Sequence, residues 1–317
     1  MFIAQAFNYK HDFWRYIIGV IMVLAGVFIG QIPLTVALFM ELGVAETVTL
    51  TESQMMTALD SNYFLFLMLL SFAIALGFLF IAVKQVHGQT LRSLTTSRNK
   101  IDWSRFWFAF ALVSVFIIIT TVGDYYSNPQ DYQWNFELKP FLILLVIAVI
   151  FVPLQTSFEE YFFRGYLMQG IGVLARNRWL PLVITSIIFG GLHFFNPEVT
   201  KLGNIIMIYY IGTGFMLGIM ALMDEGIELS LGFHAANNLL TALLVTADWT
   251  AFQTNSIFKD ISEPSAGWDV LIPVLGIYPL FLFIMAKKYK WTNWKEKLFG
   301  RVEKPEIIHV QNEKFLN

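Results

Sequence analysis

The chain has 317 residues, of which 56% are hydrophobic, 16% aromatic and only 14% charged, a balance outside the range of soluble globular domains, where about a quarter of residues carry charge. A formal net charge of -2 offers no basic face for nucleic acid, and the absence of cysteine removes disulfide frameworks, thiol nucleophiles and cysteine-ligated zinc or iron–sulfur centres. Composition therefore describes an all-α, polytopic helical bundle in a membrane.

Lys10, His11 and Arg15 precede the first apolar run, 16–40, which contains Pro33 and is long enough to be an anchor rather than a clipped leader. Residues 41–61 carry Glu41, Glu46, Glu52 and Asp60 but no Lys or Arg, and read as an external loop before a second span at 63–83. The next connection holds Lys84, Arg92, Arg98, Lys100 and Arg105, which the positive-inside bias places in the cytoplasm. A third span, 106–122, leads to an aromatic-rich external loop at 124–137, and 141–154 returns inward. Pro153 is expected to break or bend that helix, so that Glu159, Glu160 and Arg164 fall near the cytoplasmic side, just before Arg176 and Arg178.

Runs at 179–192, 205–223, 229–245 and 270–286 bring the total to about eight spans, followed by a cytoplasmic tail at 287–317. Only Lys139, Lys201 and Lys259 fall on segments assigned outside. The connection 224–228 is assigned inside although it holds no basic residue. The expected organisation is a single membrane domain, 1–317, multi-pass in the cell (plasma) membrane, with both termini cytoplasmic.

The stretch from Ser157 to Gly165 places three charges in nearly continuous hydrocarbon. An ionisable side chain at membrane depth costs at least about 2.5–3.5 kcal/mol, so such residues usually mark function. Helical spacing puts Glu160 and Arg164 at i and i+4, where they can pair, and turns Glu159 about 100° away, leaving it free. An interfacial charge cluster would produce the same motif. Of five histidines, His11, His87 and His309 lie in polar segments, whereas His193 closes an apolar run and His234 lies within the seventh span with Asn238 one turn along. Singly, an intramembrane histidine is more often a helix–helix hydrogen-bonding residue. Two beside a Glu-Glu motif suggest a hydrolytic centre.

In that reading Glu159 deprotonates a water, His193 and His234 position the water or protonate the leaving amine, and Asn238 donates to the oxyanion. Alternatively Glu159 and the two histidines hold a divalent metal, zinc being the first choice, with a metal-free mechanism equally open. No His-Glu-x-x-His helix is present. Intramembrane Glu and His also build proton relays, so a proton-coupled transporter is a second reading, and a non-catalytic immunity or scaffold protein a third.

Glu159-Glu160-x-x-x-Arg164, Phe189-x-x-x-His193 and His234-x-x-x-Asn238, on successive membrane helices, resemble the CPBP family (CAAX protease and bacteriocin-processing proteins, also called Abi proteins). The resemblance covers a core at 141–246, roughly a third of the chain. It implies an intramembrane endopeptidase in which Glu159 activates water, with His193, His234 and Asn238 around it and Glu160, Arg164 and Phe189 in support. It also implies membrane-embedded or membrane-anchored protein substrates in the lipid bilayer, processed in CAAX or leader-peptide fashion.

Overall fold

Long apolar runs leave the α-helix as the way to satisfy every backbone group inside hydrocarbon, and each of the eight runs is helical in the computed structural model. It describes residues 1–264 and 266–304. The expected tail is therefore described only to Lys304, and His309 lies outside the described residues. The helices are α1 (Phe13–Leu42), α2 (Ser61–Val86), α3 (Trp103–Ser127), α4 (Leu138–Ala175), α5 (Trp179–Gly191), α6 (Ile206–Asp224), α7 (Glu228–Leu244) and α8 (Val270–Tyr289).

Six of these are long and apolar enough to cross a membrane. The other two are shorter. α5 has 13 residues and α7 has 17, so they rise only about 20 and 26 Å against a hydrocarbon core of about 30 Å. Both are the helices that carry histidine motifs: α5 stops at Gly191, two residues before His193, and α7 holds Glu228, His234, Asn237 and Asn238. Large apolar side chains such as Phe28, Ile119 and Leu275 cover the outside of the bundle, an arrangement stable only against lipid. The protein is an integral membrane protein.

α4 organises the rest. It packs between α2 and α7, and its C-terminal half meets α5, while α1 covers α2, α3 lies against α7, and α6 pairs with α5 and touches α8. The expected break at Pro153 does not occur: the helical path continues for 38 residues to Ala175. Proline removes one rung of the backbone ladder, but contacts with helices on both sides hold the segment in place. A π-helical turn follows at Tyr161–Leu167, a wide turn frequent at functional sites. Glu159 lies about 32 Å along α4 from Leu138.

Small residues set the closest contacts. A β-carbon on Gly214 of α6 would stand 2.7 Å from the Ser186 carbonyl oxygen of α5, so only glycine lets those backbones approach. Gly232 of α7 plays the same part against the Phe106 carbonyl of α3, whereas Gly191 has open space where its side chain would be.

The connection 224–228, which has no basic residue of its own, receives cations from elsewhere. Asp224 accepts from Arg98 Nη2 (2.6 Å), Arg105 Nη1 and Trp291 Nε1 (3.1 Å). Glu228 accepts from Arg98 Nη1 (3.1 Å) and the Asp102 backbone N–H (3.2 Å). Glu225 accepts from Lys297 Nζ (2.6 Å), Arg178 Nη1 (3.4 Å) and the Phe2 backbone N–H. Segments that the charge bias put on one side of the membrane thus meet on one face of the bundle. At the opposite end a small sheet ties the α3–α4 and α7–α8 loops together: β1 (Tyr132–Trp134) pairs antiparallel with β3 (Phe258–Asp260), which pairs parallel with β2 (Val245–Thr246).

This ionic junction predicts that Asp224→Ala lowers stability by about 1.5–3 kcal/mol, the range for hydrogen bonds to charged groups. Thermal unfolding in detergent measures it, and an unchanged midpoint would deny the junction any structural weight.

Candidate active site

The centre is built on consecutive residues of α4. Arg164 and Glu160 are both fully buried, and Arg164 Nη1 donates to Glu160 Oε1 at 3.0 Å. Arg164 Nη2 donates to the Gly214 carbonyl of α6 at 3.2 Å, and the guanidinium carbon lies 4.2 Å from the centroid of the Phe189 ring. A buried guanidinium needs such partners on every side. Glu160 Oε1 also accepts from His234 Nδ1 of α7 at 2.9 Å. That carboxylate is committed to holding an arginine and a histidine.

Since a carboxylate only accepts, His234 Nδ1 carries a proton, and Nε2 is the ring nitrogen left to face Glu159. Nε2 stands 3.5 Å from Glu159 Oε2. The other oxygen, Glu159 Oε1, accepts from Gln155 Nε2 at 2.6 Å. Gln155 Oε1 in turn accepts from Asn238 Nδ2 at 3.1 Å, and Asn238 Oδ1 from Asn237 Nδ2 at 3.1 Å. Glu159 is 8% exposed, Gln155 5% and His234 6%.

The structure thus brings together Glu159, Glu160, Arg164, His234 and Asn238, the last through Gln155. His193 makes no hydrogen bond to these side chains and shares Phe189 with His234 as a ring neighbour. It follows the end of α5, with Nδ1 donating to the Phe189 carbonyl at 2.8 Å. Its ring stacks on Tyr210 at 4.5 Å, and Phe189 lies against both it and His234, at ring separations of 5.0 and 6.0 Å. The turn after His193 is tied to the loop beyond α7 by Glu198 Oε1, which accepts from the Ala251 N–H at 2.8 Å. Burial pushes the Glu198 carboxyl above its usual range.

Among the described residues no group of three or more His, Cys, Asp or Glu side chains is placed to hold a metal ion. His234 donates through Nδ1 to Glu160 and His193 through Nδ1 to the Phe189 carbonyl, which leaves Nε2 as the free atom of each ring. No chemical step is assigned to a metal.

Residues 138–240 match the family model described as type II CAAX prenyl endopeptidase Rce1-like. A Bacillus subtilis relative, described as uncharacterized protein YyaK, is 30% identical over 253 residues, which is 80% of this chain and 82% of the relative. The chain belongs to the Rce1-like family. No solved structure matches it. Rce1-like proteins are a protease family, and this member is a membrane peptidase.

Two residues of this Rce1-like centre escape a motif-based reading. Gln155 lies one turn before Glu159, and its i to i+4 spacing was the only available signal. Tyr210 lies on another helix, and nothing in the spacing of the sequence links it to His193.

Proposed function

We propose that the protein is an intramembrane endopeptidase that hydrolyses membrane-anchored or membrane-embedded protein substrates by glutamate-activated water. The observation that carries this is the buried pair Glu159 Oε2 and His234 Nε2, facing each other at 3.5 Å, with Glu159 Oε2 making no hydrogen bond among the described residues. In this reading His234 is neutral at Nε2, and the attacking water donates one proton to each of the two atoms. With its two protons directed at Glu159 and His234, its oxygen lone pairs face away, towards a substrate carbonyl.

Glu159 Oε2 takes one proton as the water oxygen bonds to the carbonyl carbon, and the carbonyl electron pair moves onto oxygen. When the tetrahedral intermediate collapses, the C–N bond breaks and Glu159 returns that proton to the leaving nitrogen. His234 is held in a single tautomer by Glu160, and Glu160 is held by Arg164. His193, with Nδ1 fixed on the Phe189 carbonyl, keeps Nε2 free, and in its protonated form would donate to the oxyanion. The substrate is a peptide segment delivered by its own membrane anchor, consistent with CAAX-type or leader-type processing.

Comparing membrane proteomes of cells expressing wild type and Glu159→Ala tests the activity and names the substrate. New protein termini confined to the wild type are expected. Identical termini in both would leave the transporter and scaffold readings in its place.

The Lys/Arg asymmetry further assigns both termini and the ionic junction to the cytoplasmic face of the cell membrane. A reporter fused after Lys290 should read as cytoplasmic. An external signal there would reverse the assignment.

A further inference from the structure

We infer that Gln155 is a positioning residue for Glu159, and that Asn238 acts on the catalytic carboxylate through it. The inference rests on Glu159 being the general base, and extends that reading to a residue outside the three motifs.

Gln155, Asn238 and Asn237 form a chain of side-chain amides that ends on a carboxylate: Asn237 donates to Asn238, Asn238 to Gln155, and Gln155 to Glu159. An amide can point either way, and only its partners decide which. Here the carboxylate decides, because a Glu159 that serves as general base accepts and never donates. Glu159 Oε1 must receive the Gln155 NH2 group, so Gln155 Oε1 turns to α7, so Asn238 must present its NH2 group, so Asn238 Oδ1 is left to accept from Asn237. Each link has one consistent orientation.

The consequence for Glu159 is directional. With Oε1 held at 2.6 Å by Gln155, rotation about the terminal carboxyl bond is stopped, and Oε2 is the oxygen that faces His234. Without Gln155 the two oxygens can exchange places, and the water loses its fixed site. The chain also crosses from α4 to α7, so it sets the separation of the helices that carry the base and its histidine. A buried glutamine, 5% exposed on α4, has this use, whereas an aliphatic residue would serve for packing alone.

The experiment uses the full-length protein in detergent micelles, with two readouts. The first needs no substrate. Infrared difference spectra between each background and its Glu159→Gln variant isolate the Glu159 carboxylate bands, and Gln155→Met should move the antisymmetric stretch because the oxygen loses its strongest donor. The second is cleavage of a quenched fluorescent peptide ending in a prenylated CAAX sequence. Gln155→Met should lower kcat about 10- to 100-fold, the range expected when a reacting group is misplaced, with KM and the unfolding midpoint unchanged, and Gln155→Asn should restore part of the rate. Gln155→Met combined with Asn238→Ala should lose no more than the greater of the two single losses.

An unmoved carboxylate band in a folded Gln155→Met protein would overturn the inference, whatever the peptide shows. Additive kinetic losses would overturn the claim that Asn238 works through Gln155. A Glu159→Gln protein that still cleaves the peptide would instead overturn the general-base reading, a different outcome from either.

Discussion

Glu159→Gln is expected to abolish peptide cleavage while leaving the folded protein intact. The amide has the size and shape of the carboxylate, and its oxygen can still accept from Gln155, so the contacts of α4 with α7 survive. What it cannot do is take the proton of an attacking water. General-base assistance is worth about 10²- to 10⁴-fold, and a loss of at least that size should appear in kcat, with substrate binding little changed. Glu159→Asp keeps the base but withdraws it by one methylene and from Gln155, so a trace of activity is expected. Cleavage of any substrate identified in the proteome comparison measures both. Near wild-type turnover by Glu159→Gln would remove Glu159 from the chemistry, and activity lost to a chelator and restored by a divalent ion would recast it as a ligand.

Arg164→Met is expected to be the most destabilising single change in the centre. It leaves Glu160 fully buried with His234 as its one hydrogen-bonding partner and takes the donor from the Gly214 carbonyl. Removing one member of a buried ion pair costs about 3–5 kcal/mol, much of it from the charge left behind. The double change Glu160→Gln with Arg164→Met removes both charges, and it should regain most of the stability while activity stays low, because His234 has lost the carboxylate that fixes its tautomer. Unfolding midpoints in detergent, with turnover measured alongside, separate the two effects. A stable Arg164→Met protein would show that the pair carries no structural load.

How much of this was legible in the sequence depends on the distance over which each interaction acts. The pairing of Glu160 with Arg164 follows from i to i+4 spacing, because both residues lie on one helix. The Lys/Arg asymmetry groups a set of loops on one expected side, and the ionic junction brings those loops together on one face of the bundle. The partners themselves could not be read: Arg98 and Asp224 are separated by 126 positions, and no local pattern joins them. Pro153 misled for the opposite reason. Its local rule is sound, but α2 and α7 on either side outweigh it. The three-stranded sheet was invisible because strands of two or three residues are too short for alternation to show. His193 was legible through its motif, whereas its contacts with Phe189 and Tyr210 were not, since Tyr210 lies on another helix.

The order in which the chain is made adds a consequence to the way Arg164 is held. The carbonyl that accepts from Arg164 belongs to a residue 50 positions later, and the histidine that joins it on Glu160 lies 74 positions beyond that glutamate. Ribosomal synthesis therefore delivers Glu159, Glu160 and Arg164 to the membrane, with Gln155 already beside Glu159, before the groups of α6 and α7 that join them exist. Until α6 and α7 follow, Glu160 and Arg164 have only each other, and Glu159 has no imidazole with which to share a water. The nascent chain carries Glu159 through insertion with its site unassembled, and, under the proposed function, competence for hydrolysis arrives only with the seventh helix.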